Sequence, residues 1–371
     1  MLIRCNRCLM PTSRPDTQFV DGVCTACLNY AKRETIDWDA RHAELMEVIN
    51  RAKKNRNATG YDCIIPSSGG KDSHYQVLKL IELGLRPLVV TATTCMLTPI
   101  GRKNIDNLAR YATTIEVSPN KTVRAKLNRI GLEMVGDISW PEHVSIFSVP
   151  FKIAAMTGIK TLFYGENPQS EYGGPIGAEN AKHLTRRWRS EFGGFLGLRP
   201  QDIVGQYGII EEDMRDYQMP TETEVEAAGI EAHFLGYYLP WDSHLNAQIA
   251  RHAGMLDGLP SQANWWGHEN LDNAMTGIHD YFCYLKYGYG RAAAQLSVDI
   301  RNGLISRDKA FGELSRREGR FPSVYAGVPY GAVLKHVGFS DVRLDEIMDQ
   351  FTNKELFADF NGIMPVLKEF A

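Results

Sequence analysis

Two groups of residues in this chain have the types and spacing to do chemistry. The first is Ser68-Gly69-Gly70-Lys71-Asp72-Ser73. Glycines let a backbone approach anionic oxygens closely, and a helix starting just after them offers free N–H groups and a favourable dipole. The loop is not a Walker A motif, because Ile65 occupies that pattern's first glycine position and Asp72 follows Lys71. The second group is the pair Cys5-x-x-Cys8 and Cys24-x-x-Cys27. Each pair makes a tight turn that presents two sulfurs to one ion, so the four predict a saturated, structural Zn²⁺ site. An iron–sulfur cluster and two disulfides are the alternatives. Cys63, Cys95 and Cys283 lie in or beside apolar segments and read as buried thiols, with a reactive role left open for Cys95.

Stepping outward from the glycine loop, the elements that must position it are a strand before and a helix after. Tyr61 to Pro66 reads as that strand, and the helix runs from about Asp72 to Leu83 with Gly84 marking its end. Arg86 to Thr93 reads as a second strand, which demands a parallel, right-handed crossover. Gly101 to Ala112 follows as a helix, Thr113 to Val117 as a strand, Lys121 to Val135 and Val149 to Thr157 as helices, and Lys160 to Asn167 as a strand with an active loop after it. This alternation predicts an α/β fold, a doubly wound parallel sheet with its ligand site at the carboxyl ends of the strands.

The expected organisation is a zinc knuckle at 1–35, a linker helix at 36–56, the loop-bearing α/β domain at 57–175, an insertion or substrate cap at 176–240 with an acidic helical stretch from Glu211 to Glu226, and a mainly helical region at 241–371. Asp37 is the expected N-cap of the linker helix, whose apolar residues fall on one side.

At 371 residues, with 44% hydrophobic and 23% charged residues, the chain can bury a sizeable core. A net charge of -3 gives no general attraction to nucleic acid. Without an apolar signal segment or a run of about eighteen apolar residues, the expectation is a cytoplasmic protein that does not insert into a membrane.

The loop resembles that of the N-type ATP pyrophosphatases, Ser-Gly-Gly-x-Asp-Ser, matched at Ser68, Gly69, Gly70, Asp72 and Ser73. The resemblance implies that ATP loses pyrophosphate while AMP passes to a substrate oxygen. It also implies that the Ser68 and Ser73 hydroxyls and the loop amides hold phosphate, that Lys71 offsets charge, and that Asp72 helps to place Mg²⁺. Over nearly its whole length the chain resembles the N-acetyl sugar amidotransferases of bacterial surface-polysaccharide and flagellin-glycan pathways. The matching marks are Cys5-Asn-Arg-Cys8-Leu-Met-Pro-Thr, the loop, Tyr164-Gly165-Glu166-Asn167-Pro168 with Glu171-Tyr172-Gly173-Gly174, and Lys286-Tyr-Gly-Tyr-Gly290-Arg291 followed by Asp299-Ile-Arg301-Asn-Gly303. The implied reaction converts the acetamido group of a free or nucleotide-linked N-acetylated sugar into an acetamidino group, as in lipopolysaccharide O-antigen synthesis.

Glu166, just past a strand end, is the candidate for a second Mg²⁺ or substrate contact, against a solvated loop carboxylate. Asn167, Glu171 and Tyr172 are candidates to hold the sugar or AMP. Lys286, Arg291 and Arg301 are candidates for phosphate or a sugar carboxylate, against ordinary salt bridges. The competing readings are a tRNA-modifying thiolase, which also combines such a loop with zinc-binding cysteines, and a non-catalytic nucleotide-binding zinc-ribbon protein.

An amidine product needs a nitrogen donor. Leu2 stands where a class II glutaminase would carry its nucleophilic cysteine, and none of Cys63, Cys95 and Cys283 sits in a Gly-x-Cys-x-Gly elbow. Related family members work with separate glutaminase and cyclase-like subunits, so the resemblance implies such partners here. The isolated chain is therefore expected to turn over with ammonium but not with glutamine, glutamine becoming a donor only when a glutaminase assembly is added. Efficient use of glutamine by this chain alone would overturn the partner requirement.

Overall fold

The computed structural model describes residues 2–358 and 365–371; residues 1 and 359–364, at the edges of the expected knuckle and helical region, lie outside the described residues. Its centre is a five-stranded, all-parallel sheet: β1 (Cys63–Pro66), β2 (Pro87–Ala92), β3 (Thr113–Val117), β4 (Thr161–Tyr164) and β5 (Glu231–Phe234), in spatial order β3-β2-β1-β4-β5. Successive residues point to opposite faces, and both faces are covered by helices. Cys63, Ile65, Val89 and Phe163 pack with apolar side chains of the helices Trp38–Lys54 and Lys71–Glu82 on one side. Ile64, Leu88, Val90, Leu162 and Phe234 pack with those of the helix Trp140–Thr157 on the other. Near-continuous apolar strands are what burial on both faces requires.

In chain order the helices that matter below are α1 (Thr25–Lys32), α2 (Trp38–Lys54), α3 (Lys71–Glu82), α4 (Pro99–Leu108), α5 (Lys121–Val135), α6 (Trp140–Thr157), α7 (Ser243–His252), α8 (Thr276–Tyr287) and α9 (Arg291–Arg301). Asp37 caps α2 as its sequence suggests, its carboxylate accepting from Ala40 N at 2.9 Å. The strand order reverses between β1 and β4, so the loops after these two strands diverge and leave a crevice at their carboxyl ends. The glycine loop follows β1, and Gly165-Glu166-Asn167 follows β4.

The structure departs from the sequence reading in three places. Helix α6 begins at Trp140 rather than Val149, because Pro150 lies inside the helix, where proline is usually a terminator. The sheet gains β5 from residues read as an insertion; only four residues long and opening on exposed Glu231, it carries little strand signal until Ala232, His233 and Phe234 are buried. The acidic stretch is a 3₁₀ turn, Glu211–Tyr217, and a separate helix, Glu222–Ala228, which starts after Pro220 with Thr221 as its cap.

The helical remainder folds back onto the sheet domain. Helix α7 lies along α3. Met275, Ile278 and Phe282 of the α8 region pack with Leu132 and Ile138, which flank the end of α5, and with apolar residues of the helices Tyr330–Val337 and Asp341–Phe351. Among the described residues no helix is long and apolar enough to cross a membrane.

Asp62, just ahead of β1, is a buried anchor. It accepts from Arg56 Nε at 2.7 Å and Nη2 at 2.9 Å, and from Arg86 N at 2.7 Å. Burial pushes its carboxyl up, but the Arg56 guanidinium and the Arg86 N–H outweigh that and hold it below the usual carboxylate range. A depressed carboxyl stabilises the fold above its unfolded value, about pH 4, and the stabilisation is lost as pH falls through the lower folded value. Asp62→Asn is expected to cost about 2 kcal/mol at pH 7, with the gap to wild type closing in acid. A gap unchanged at pH 3 in denaturant titrations would contradict this.

Candidate active site

Lys71 opens α3, and its side chain is only 4% exposed. An ammonium in that position must be paired. Its Nζ lies 2.5 Å from Asp72 Oδ2 and 3.8 Å from Glu269 Oε1. Burial opposes its charge, yet the carboxylates of Asp72, Glu269 and Glu166 keep it protonated above the ordinary lysine range. Glu166 is pushed up to about 8, by burial first and then by the Asp72 carboxylate. Glu269 goes the other way: burial pushes it up, but Lys71 and Arg291 draw it below the usual carboxylate value. Lys71 thus faces three carboxylates, and Glu166 is the one pushed toward protonation.

The glycine loop is shaped by its own hydroxyls. Ser68 N donates to Ser73 Oγ at 3.2 Å, and Gly69 N to Ser67 Oγ at 3.1 Å. Gly69 has φ +80°, and a Cβ there would meet Ile105 N of α4 at 2.9 Å, so only glycine fits. Gly70 caps α3 without any side-chain bond to the helix's first N–H groups, which leaves an anion-binding end. His74 fastens the loop to α4: Asn107 Nδ2 donates to His74 Nε2 at 3.0 Å, which requires Nδ1 to carry the proton and donate to Gly70 O at 3.0 Å. Burial lowers His74's pKa and keeps it neutral in this role.

The loop after β4 lies across the crevice. Asn167 is buried and occupied: it caps the short helix Pro168–Glu171, donates to Ala178 O at 2.8 Å and accepts from Trp188 Nε1 at 3.3 Å. Glu171 pairs with Arg33 at 2.8 Å. Tyr172 OH donates to Glu269 Oε1 at 3.3 Å.

The structure therefore gathers Lys71, Asp72, Glu166 and Tyr172 around Glu269. Arg291 is next to this group: it pairs with Asp280 at 2.7 Å, and both Asp280 and Glu269 hold it charged. Arg301 instead donates to Glu171 O at 2.9 Å, and Lys286 to Val135 O at 3.1 Å, beside Asp137 rather than beside the loop.

Sequence reasoning missed Glu269, Asn246 and His268. Asn246 on α7 donates to Asp72 Oδ1 at 2.9 Å. His268 stacks on Trp266, and its Nδ1 accepts from Arg251 Nη2 at 3.2 Å, so its proton is on Nε2. That Nε2 is buried without a partner, and burial together with Lys71 lowers His268 to about 4. The run Trp265-Trp266-Gly267-His268-Glu269-Asn270 was the available signal, a dense group of aromatic, imidazole and carboxylate side chains in a loop.

The four knuckle cysteines are buried. Cys5 Sγ lies 3.9 Å from Cys27 Sγ and Cys8 Sγ 3.6 Å from Cys24 Sγ. Bonds of about 2.3 Å at tetrahedral angles put sulfurs about 3.8 Å apart, so this spacing fits a structural zinc ion. Cys24 N and Arg7 N donate to Cys5 Sγ, and Met10 N to Cys8 Sγ, which favours the thiolates. The knuckle also grips the loop after β4: Thr25 Oγ1 donates to Gly174 O at 2.7 Å and Gln18 Oε1 accepts from Ile176 N at 3.0 Å. Arg301, which contacts Glu171, is electrostatically coupled to Cys8, Cys24 and Cys27.

Residues 261–368 match the family described as LPS biosynthesis protein WbpG-like, C-terminal domain. The match covers less than a third of the chain and supports a polysaccharide-biosynthesis family. It includes His268, Glu269, Asp280, Arg291 and Arg301. No curated protein matches the chain.

Removing zinc with a strong chelator, or Cys24→Ser, is expected to cost several kcal/mol, lowering Tm by roughly 5–10 °C. Hydrogen exchange should rise first in residues 168–180. Unchanged exchange there would show that the knuckle does not hold the loop.

Proposed function

We propose that this chain is an AMP-forming, ATP-dependent amidotransferase that converts the acetamido group of an N-acetylated sugar into an acetamidino group during lipopolysaccharide synthesis. The observation that carries the reading is the buried Lys71, with Asp72, at the uncapped start of α3, facing Glu166 across the point where the strand order reverses. The similarity of residues 261–368 to a lipopolysaccharide-biosynthesis family supports the pathway.

An amide carbon is a poor electrophile, so its oxygen must become a leaving group. The amide oxygen attacks the α-phosphorus of ATP, and the bond to pyrophosphate breaks. Ammonia then adds to the activated carbon, the C–O bond to AMP breaks, and the amidine remains. In this reading the loop N–H groups, the Ser68 and Ser73 hydroxyls and Lys71 bind the departing pyrophosphate, and the free Nε2–H of His268 is a further donor to phosphate. Asp72 and Glu166 would hold Mg²⁺, which supplies charge neutralisation at the phosphates. The upward push on Glu166 fits that role, because it shares a buried site with the Asp72 carboxylate and Lys71 only partly offsets the two. Gly69 allows the close approach; the loop after β4 brings Tyr172, and the loop between α7 and α8 brings Glu269, over the reacting group, where they orient the sugar.

A thiolase would need a thiolate near the loop. Cys63 is buried in β1 and its thiol is pushed up by burial, as is that of Cys95, which argues against sulfur transfer. The sugar's acetamido group, the ATP and an ammonia supply from a separate glutaminase with a cyclase-like subunit complete the reading.

Asp72→Asn and Ser73→Ala are expected to reduce AMP formation at least about 100-fold while circular dichroism stays unchanged. Labelled ATP, assayed with ammonium and a panel of nucleotide-linked diacetamido sugars, should yield AMP and pyrophosphate. Formation of ADP, or turnover with tRNA in place of sugars, would overturn the assignment.

A further inference from the structure

Among the described residues, a cluster apart from the loop and the knuckle has the chemistry of a site. We propose that Asp137, His143 and His279 form a second metal site, suited to a late first-row divalent ion such as Zn²⁺. The three come from three elements: the turn between α5 and α6, the first turn of α6, and α8. Their ligand atoms all lie within 4.8 Å of one another. His279 Nδ1 is 2.7 Å from Asp137 Oδ1, and His143 Nδ1 is 3.2 Å from Asp137 Oδ2. Zinc bonds of about 2.0–2.1 Å at tetrahedral angles need donors about 3.3 Å apart, so the set requires only a small opening on the His279 side. Two imidazoles and one carboxylate select zinc, cobalt or nickel over magnesium or calcium, which prefer an all-oxygen shell.

The surroundings of these side chains suit ligands. Ser139 N donates to Asp137 Oδ1 at 2.8 Å and fixes the carboxylate. His279 Nε2 faces Asp280 Oδ1 at 4.0 Å, and Asp280 is itself held by Arg291 at 2.7 Å; a carboxylate behind a ligating imidazole is the usual support for such a ligand. Both imidazoles are 26% exposed while the carboxylate is 4% exposed, which leaves an ion a way in and a fourth position for water or a ligand oxygen. The neighbouring cation, Lys286, is tied to Val135 O. Nearby Glu142 is committed to Arg124 and Asn128, and adds no ligand.

The site shares no residue with the cysteine knuckle or the phosphate loop, so it is tested by binding rather than by turnover. Full-length protein loaded with zinc and dialysed is expected to hold about two ions per chain, one in each of the two sites. Asp137→Asn and His143→Ala should each bring the count to about one, and Cys24→Ser should remove the other ion. Added to protein that carries zinc at the cysteine knuckle alone, Co²⁺ should give visible d–d bands without a sulfur charge-transfer band. His279→Gln, which keeps a polar side chain, should lose that Co²⁺ spectrum while circular dichroism and the knuckle's zinc are retained. About one ion in the loaded wild type, or counts unchanged in the His143 and Asp137 variants, would reduce the trio to a hydrogen-bonded ion-pair cluster.

Discussion

The burial of the Lys71 ammonium is the constraint on which the rest of the structure depends. A cation at 4% exposure can persist only among negative groups; Asp72, which Asn246 on α7 holds in place, is the nearest of them. The additional charge comes from Glu269, almost two hundred positions along the chain. Meeting the needs of one side chain therefore docks the C-terminal region against the sheet domain. It also sets the opposite behaviours of Glu166 and Glu269: the carboxylate nearer the cation keeps its charge, and the other is pushed toward protonation.

The second organising contact is the knuckle's grip on the loop after β4. Thr25 and Gln18 hold the backbone at 174–176, while Arg301 joins the carbonyl of Glu171 to the neighbourhood of the thiolates. The knuckle in turn rests on α9, where Leu9 packs against Ala292, Ala293 and Leu296 and Leu9 N donates to Ser297 Oγ at 3.1 Å. A small domain without enough core of its own thus becomes a fastener between the C-terminal helices and the crevice. A zinc ion held by these four cysteines would deliver rigidity to that loop rather than chemistry of its own.

Much of the sheet was legible because strands buried on both faces are short apolar runs, and glycines punctuate them. Helix α5 and strand β3 have the bounds that periodicity suggests, and α3 starts one residue earlier than expected. The missed features have local causes. Pro150 disguised the first half of α6, and β5 has its alternation broken by His233 and an exposed glutamate. The two-histidine, one-carboxylate cluster was not legible, since Asp137 and His279 lie far apart in the chain and neither belongs to a spaced motif.

By itself the sequence determined what depends on near neighbours: the glycine turn into α3, the Cys-x-x-Cys pairs, the strand–helix alternation and the Asp37 cap. These are local because turn geometry, helix capping and side-chain periodicity act over a few residues. Only the tertiary structure decided which distant charges meet. It placed Glu269 and Asn246 at the loop, diverted Asn167 and Arg301 into holding backbone carbonyls and Glu171 into pairing with Arg33, and carried Lys286 to Asp137. The reason is desolvation: a buried charge takes whatever partner the packing brings within reach, and that packing is a property of the whole core, not of any segment of the chain.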